Sequence, residues 1–284
     1  TALTSLLREF LCDPSAMFRI KEQELLVKAI LLKVPYILAV MPTNSGKSLG
    51  YLLTSALSTS KITVVIIPLV GLKQDILQRA KGFNIPCSNY ERGRATTTLT
   101  LASIEAVVQE DFIFLLRMLI EEKRLDRIIV DECHLLISSK HYRPIMHRFI
   151  ELLVVPVQVV FLTGTLPEAY EVELKETLKL ESMSVIRASS SRREISYNSK
   201  AYASFEREEQ ILEVVSYITS FRSSMSSSSD KILIFCPTIL SIGEFSVALN
   251  CTSYHSTLEG KEEVLNAFVN NGGYENSLLV STIG

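Results

Sequence analysis

Tyr36-Ile-Leu-Ala-Val40, followed directly by Met41-Pro-Thr-Asn-Ser-Gly-Lys-Ser48, reads as a buried strand that feeds a phosphate-binding loop and the first turn of a helix. Backbone N–H groups of such a loop, backed by the positive end of the helix, cradle phosphate oxygens. Lys47 then reaches the terminal phosphates and the Ser48 hydroxyl ligates Mg²⁺. Thr43, Asn44, Ser45 and Gly46 complete the cradle. The pattern points to a nucleoside triphosphate. Met41 stands where G-x-x-x-x-G-K-[ST] begins with Gly, so a chance turn before a helix is the competing reading, and a second segment decides between them.

That segment is Leu125-Asp-Arg-Ile-Ile-Val130, read as an apolar strand, running into Asp131-Glu-Cys-His134. It sets two carboxylates at the carboxyl end of a strand, where ligand sites of open α/β sheets lie. Asp131 is the candidate Mg²⁺ ligand beside Ser48. Glu132 is the candidate base that orients or deprotonates a water attacking the γ-phosphate. Asp131 follows Lys47 by 84 residues, room for two or more βα units.

Further motifs stand in order along the chain. Phe18-Arg19 and Gln23 precede the loop. Pro68-Leu69, Leu72, Lys73 and Asp75 follow the strand-like run 62–67, and Leu101 to Glu105 comes next. His141-Tyr-Arg-Pro144 lies after the acidic motif, followed by Thr163-Gly-Thr-Leu-Pro167, Ser191-Arg-Arg-Glu-Ile195, Ile234-Phe-Cys-Pro-Thr238 and Tyr254-His-Ser256. Taken together they resemble superfamily 2 helicases, and within them RecQ-like DNA helicases. The resemblance implies that Arg19 and Gln23 read the adenine. It implies that His134, Thr163 and Thr165 couple nucleotide state to movement, and that Pro68, Leu69, Lys73, Glu105, Tyr142 and Arg143 border bound nucleic acid.

The chain departs from that family in several places. Asn44-Ser45 replaces the usual Gly pair, and Thr163-Gly-Thr165 replaces Thr-Ala-Thr. The chain has no Trp, which the family places in the aromatic-rich loop. Leu278-Leu-Val-Ser-Thr-Ile-Gly284 is similar to the opening of motif V, and motif VI with its arginine finger does not follow. Such a finger contributes a factor on the order of 10³ to 10⁵ in phosphoryl transfer. A fragment of a larger protein that binds ATP and hydrolyses it slowly is the expectation.

Composition agrees. Of 284 residues, 47% are hydrophobic, enough for a folded lobe and most of another. The apolar runs 62–72 and 152–166 are interrupted by Pro68, Pro156 and Gln158, so no membrane span is expected. No secretory signal is visible. Five scattered cysteines without C-x-x-C spacing point to a reducing compartment and to no zinc site; the resemblance implies the nucleus if the source is a eukaryote. A net charge of −2 argues against coating DNA by bulk electrostatics, so local groups matter more. Lys140, His141, Arg143, His147 and Arg148 form one basic cluster; Lys73, Arg79, Lys81, Arg92 and Arg94 form the other. In the superfamily 2 arrangement that the resemblance implies, each would track a strand's phosphates with little sequence preference; solvated helix faces are the competing reading for any single Lys or Arg.

Apolar strands near 36–40, 62–67, 98–102, 126–130 and 157–162 alternate with helical stretches near 22–32, 47–58, 71–81 and 168–179. The expected fold is α/β: a RecA-like P-loop NTPase lobe with a parallel sheet flanked by helices, then a truncated second RecA-like lobe. The boundaries fall at residues 1–188, an interlobe linker at 189–193, and 194–284. Ser223 to Ser229 reads as a loop between helix 206–221 and strand 231–236.

Three functions are compatible with these residues: the ATP- and Mg²⁺-dependent motor core of a RecQ-like DNA helicase, acting 3′-to-5′ on single strands and duplex junctions; a hydrolysis-deficient nucleic-acid-binding or regulatory module; and a DEAD-box-like RNA helicase. Met41-Pro-Thr, His134 and Tyr142-Arg-Pro144 disfavour the third; the missing C-terminal motifs favour the second for a fragment, while intact Lys47, Asp131 and Glu132 argue against it for the parent. Protein partners leave no mark on the sequence.

Overall fold

Parallel strands covered on both faces must be apolar on both faces, and Ile62-Thr-Val-Val-Ile-Ile67 is buried along its whole length. The computed structural model describes residues 1–57, 61–68, 70–138, 157–189, 191, 195–201, 207–225, 227, 230–270 and 277–282. The chain divides into two compact units, Thr1–Glu194 and Ile195–Gly284.

The first unit runs α1 (Ala2–Leu11), α2 (Lys21–Leu31), β1 (Tyr36–Val40), α3 (Lys47–Leu57), β2 (Ile62–Ile67), α4 (Val70–Gly82), β3 (Cys87–Asn89) and β4 (Leu99–Ser103). It continues through a 3₁₀ turn (Ile104–Val108), α5 (Glu110–Glu121), β5 (Leu125–Val130), α6 (Leu135–Ser138), β6 (Gln158–Thr163), α7 (Ala169–Thr177) and β7 (Ser184–Arg187). The strands form one seven-stranded sheet in the order β3-β4-β2-β5-β6-β1-β7, every pairing parallel. All carboxyl ends therefore share one edge.

Alternate side chains of each strand feed two separate cores, as the period of two requires. Leu38, Val40, Val64, Ile66, Ile128, Val130 and Phe161 pack on Phe112, Leu116 and Leu119 of α5 and Leu174 of α7. Ile37, Ala39, Val65, Ile67, Ile129, Val160 and Leu162 pack on Leu26 and Ile30 of α2, Tyr51 and Leu52 of α3 and Ile76 and Ala80 of α4.

One strand departs from the apolar reading. In β5, Asp126 and Arg127 are both buried. A register shift lets consecutive Ile62 and Thr63 of β2 face Leu125 and Arg127, leaving Asp126 as the extra residue of a bulge. Arg127 bonds to the Asp126 carboxylate and the Thr54 hydroxyl, and Lys33 closes on Asp126 at 2.5 Å. Gln158, opposite Arg127 on β6, donates to the Val34 carbonyl at 2.9 Å and the Ile30 carbonyl at 3.2 Å, tying down the end of α2. Sequence periodicity missed this polar cluster because its partners lie on α2, the turn after it, α3 and two strands.

The second unit contains α8 (Arg207–Ser224), β8 (Ile232–Cys236), α9 (Ile239–Ala248), β9 (Thr252–Tyr254), α10 (Lys261–Asn270) and β10 (Leu278–Thr282), with a parallel sheet ordered β8-β10-β9. Its apolar groups are small: Ile218, Leu249 and Leu278 in one, Cys236, Ile242 and Val280 in another. Thr238 caps α9, its hydroxyl accepting from the Ser241 amide at 3.2 Å. Helix α8 extends to Ser224, past the expected end. The Ser223 and Ser224 hydroxyls donate to the Thr219 and Phe221 carbonyls at 2.9 and 2.7 Å, which lets serine sit in a last helical turn.

Candidate active site

Strands β5, β6 and β1 are neighbours, so the loops that follow them lie side by side: the acidic motif, Thr163-Gly164-Thr165 and the phosphate-binding loop. Backbone bonds lock them together. The Met41 amide donates to the Thr163 carbonyl at 2.9 Å and the Cys133 amide to the Leu162 carbonyl at 2.9 Å.

Within the loop, Asn44 and Gly46 take positive φ of 63° and 81°. Asparagine tolerates the left-handed region and glycine enters it freely. At Gly46 a Cβ would lie 2.3 Å from the Gln23 amide nitrogen. The reason is that Gln23 packs directly on the loop: it donates to the Gly46 carbonyl at 3.1 Å and accepts from the Arg19 amide at 2.8 Å. Arg19 donates to the Asn44 carbonyl at 2.7 Å and its side-chain oxygen at 2.9 Å. Two residues of the motif ahead of the loop thus brace the loop itself. Lys47 donates to the Met41 carbonyl at 3.0 Å, and a Cβ on Gly164 would meet its ammonium at 3.3 Å, so the loop after β6 is packed against this lysine.

The carboxylates face the same place. Burial first, and then the charge of Glu132, push the Asp131 carboxyl up to about 6, while the Glu132 amide, Lys47 and His134 oppose the rise. Glu132 is held below the ordinary carboxylate range chiefly by its bond with His134, against the effect of burial, with help from Lys47 and the Gly164 amide. His134 Nδ1 lies 3.2 Å from the Glu132 carboxylate and 2.9 Å from the Thr163 hydroxyl. Thr163 in turn accepts from the Thr165 amide at 3.2 Å. Glu132 takes a left-handed φ of 47°, a conformation that favours glycine and persists where the surroundings enforce it.

These residues fit a Mg²⁺-nucleotide. The first-turn amides of α3 have no acceptor inside the helix, and the Ser45 hydroxyl is buried without a partner among the described residues. Asp131 carries a burial cost on its charge that a divalent cation beside it would offset. Ser48 and Asp131 are the residues that would hold the cation, and Lys47 the phosphates.

Comparison with known proteins agrees. The pattern of the DEAD/DEAH box helicases matches residues 20–172, more than half of the chain. The chain belongs to the DEAD/DEAH box helicase family. Over 254 residues this helicase domain is 24% identical to the ATP-dependent helicase SGS1 of Saccharomyces cerevisiae, covering 80% of the chain and 17% of that protein. It is 29% identical over 126 residues to the ATP-dependent DNA helicase RecQ of a Synechocystis strain, covering 39% of the chain and 26% of that protein. The chain spans about a quarter or less of the length of these relatives. They bear out the RecQ-like resemblance drawn from the motifs. A solved structure of S. cerevisiae Dbp5 bound to RNA and ADP BeF3 superposes with a TM-score of 0.65 at 14% identity, over 98% of this chain and 73% of that one. At that identity the likeness concerns the fold, which is α/β and RecA-like.

Elsewhere in the helicase domain, Lys73 on α4 lies near Glu105 of the 3₁₀ turn. Partial burial lowers the Lys73 pKa and the Glu105 charge opposes it. The Pro68 ring is buried at the end of β2. Leu69, Tyr142 and Arg143 lie outside the described residues, as does the basic cluster 140–148. The other basic group is not a bank of free cations. Arg92 pairs with Asp111 at 2.9 Å and Arg94 with Glu91 at 2.7 Å. Arg79 turns to the first turn of α3, donating to Ser48 Oγ at 3.1 Å. Nothing local announces that contact, because Arg79 and Ser48 are 31 residues apart on different helices. In the second unit, His255 is bonded to the Thr257 hydroxyl at 3.0 Å. No helix among the described residues is long and apolar enough to cross a membrane.

Proposed function

We propose that this helicase domain binds MgATP and is the motor core of a RecQ-like enzyme that moves along single-stranded DNA. The observation that supports the reading most is the convergence of Lys47, Asp131, Glu132, His134 and Thr163 on three adjacent loops, although the sequence scatters them over 117 residues.

Each side chain then has a task. Arg19 and Gln23 hold the loop in the shape that presents its amides, and in this reading they also contact the adenine. Lys47 meets the charge of the β and γ phosphates, with Thr43, Asn44, Ser45 and Gly46 around them. Ser48 and Asp131 hold Mg²⁺, which when bound draws charge from the phosphate oxygens. Glu132, kept ionised by His134 and the Gly164 amide, accepts the proton of the attacking water. His134 shares its Nδ1 between that base and Thr163, so a shift of Thr163-Gly-Thr165 is felt at Glu132. Pro68, Leu69, Lys73, Glu105, Tyr142 and Arg143 form the strand-binding side, with Pro68 just after β2 and Glu105 in the turn after β4 at the same carboxyl edge. The linker at 189–193 joins this lobe to the second.

Fluorescent ATP-analogue binding with and without Mg²⁺ tests the nucleotide half, and Lys47→Ala abolishes it. Unchanged affinity in that variant refutes the Lys47 assignment. Strand displacement on DNA and RNA duplexes, using a chain extended through motif VI, tests the rest. Unwinding of RNA alone would move the reading to an RNA-directed enzyme; nucleotide binding without any turnover would move it to a regulatory module.

A further inference from the structure

Arg79 sits on the helix that leaves β2 beside Pro68 and carries Lys73 on its first turns. Its guanidinium is shared between two partners. Nε meets the Asp75 carboxylate at 3.0 Å one turn back along α4, and Nη1 donates to Ser48 Oγ at 3.1 Å on α3. The planar fork of arginine is suited to holding two partners at once in fixed directions, which a lysine ammonium does not reproduce. A hydroxyl has one proton and two acceptor lone pairs. A donor held at one lone pair leaves the other, and the proton, with defined directions.

The surroundings put this contact next to the acidic motif. Tyr51 lies one turn beyond Ser48 on α3, its side chain in the core and its hydroxyl without a partner among the described residues. Burial acts on that phenol most strongly, and the charges acting on it are those of Asp131, Arg79 and Asp75, in that order. The α4 ion pair and the candidate metal carboxylate therefore flank one side chain. Asp75 also offsets the positive charge of Arg79, so the guanidinium stands near a divalent cation as half of a neutral pair.

We propose that Arg79 is a positioning residue that orients the Ser48 hydroxyl for Mg²⁺ and passes movement of α4, produced when a nucleic-acid strand engages Lys73, to the metal site. The inference rests on the proposed function, since it takes Ser48 as a Mg²⁺ ligand and the start of α4 as strand-binding. It adds a physical link between the two sites, within one lobe, that runs through a single side chain.

The test is a Mg²⁺ titration of fluorescent ADP binding to the full chain, with and without a single-stranded thymidine oligonucleotide. The wild type shifts its half-saturating Mg²⁺ by at least about fivefold when the oligonucleotide is present, the lower end of allosteric couplings. Arg79→Ala has the same half-saturation in both conditions, and Arg79→Lys recovers less than half of the shift. Hydrogen exchange of residues 70–82 gives a second readout: MgADP protects these amides in the wild type and not in Arg79→Ala. The Asp75–Arg79 pair is half exposed and contributes little to stability, so the variant keeps the wild-type melting profile. A wild-type shift that persists undiminished in Arg79→Ala overturns the proposal, as does a wild type whose Mg²⁺ requirement ignores the oligonucleotide while nucleotide still binds. A wild type that binds no Mg²⁺-nucleotide at all overturns the site reading beneath it.

Discussion

Replacing Asp126 with Ala strips the carboxylate from a guanidinium that has no route to water. The Arg127 side chain is 1% exposed and that of Asp126 3%, whereas Lys33 is half exposed. Removing one partner of a buried pair leaves the other charge uncompensated and costs about 3–5 kcal/mol. The Lys33 contact adds at most about 1 kcal/mol, since water screens its outer half. The reverse substitution, Arg127→Met, leaves Asp126 still bonded to Lys33, so its cost falls nearer to that of a charged hydrogen bond, about 1.5–3 kcal/mol. Asp126→Leu with Arg127→Met removes both charges and returns to within about 1 kcal/mol of wild type, because an apolar pair of similar volume replaces ions that were costly to desolvate. With an m-value of about 2–3 kcal/mol/M, Asp126→Ala lowers the urea midpoint by roughly 1–2 M. The chain contains no Trp, so tyrosine fluorescence and far-UV dichroism follow the transition. Hydrogen exchange of β5 and β6 amides reports the first unit separately from the second.

The pH dependence has a defined sign. Burial alone raises the Asp126 pKa, but the Lys33 bond and the Arg127 charge more than reverse this and leave it lowered. Its contribution is therefore present above the unfolded value, about 3.9, and is lost as pH falls through the lower folded value. Asp126→Ala lacks that acid-side loss. A destabilisation below about 1 kcal/mol, or one equal to that of Arg127→Met, would refute the claim that this ion pair is held dry inside the lobe.

Three further outcomes concern the site. Glu132→Gln retains MgATP binding and loses turnover in the chain extended through motif VI; rapid cycling of that variant in a phosphate-release assay would place the base elsewhere. Gly164→Ala puts a Cβ 3.3 Å from the ammonium at the end of the flexible Lys47 chain and at an ordinary 3.5 Å from Thr43 Cγ2, so Lys47 gives way by a few tenths of an ångström and nucleotide affinity changes by less than about threefold, under about 0.7 kcal/mol. A loss of tenfold or more by equilibrium titration would mean that Lys47 is held too firmly to yield. Because the Asp131 carboxyl is pushed up to about 6, a proton competes there with Mg²⁺. Apparent Mg²⁺ affinity rises by up to about tenfold per pH unit below that value and levels off above it, and Asp131→Asn flattens the curve. A wild-type profile flat between pH 5 and 7, measured by nucleotide fluorescence, excludes Asp131 as the titrating ligand.

Much of the helicase domain was legible from local pattern. The strand and loop from Tyr36 to Ser48 and the strand-end carboxylates Asp131 and Glu132 carry their chemistry in consecutive residues. The runs 36–40 and 62–67 match β1 and β2 residue for residue. Short strands such as β3 and β7 had no such signal: three or four residues with partly exposed side chains show no periodicity. Nor did α1, which is anchored by Leu7 packing on Val27 and Leu53 from other helices.

Sequence by itself determined which residue types stand at the ends of which strands, because strand formation, loop geometry and the ligand chemistry of Lys, Ser, Asp and Glu act over a few consecutive residues. Strand order was the province of the tertiary structure. Placing β6 between β5 and β1 is what brings Asp131, Thr163 and Lys47 to one edge, and no local propensity encodes which strands become neighbours. The same holds for Arg79 on Ser48, Gln23 on Gly46 and Arg127 on Thr54. Each of those pairs is made by segments that pack together only in the folded chain, where distance along the chain carries no information about distance in space.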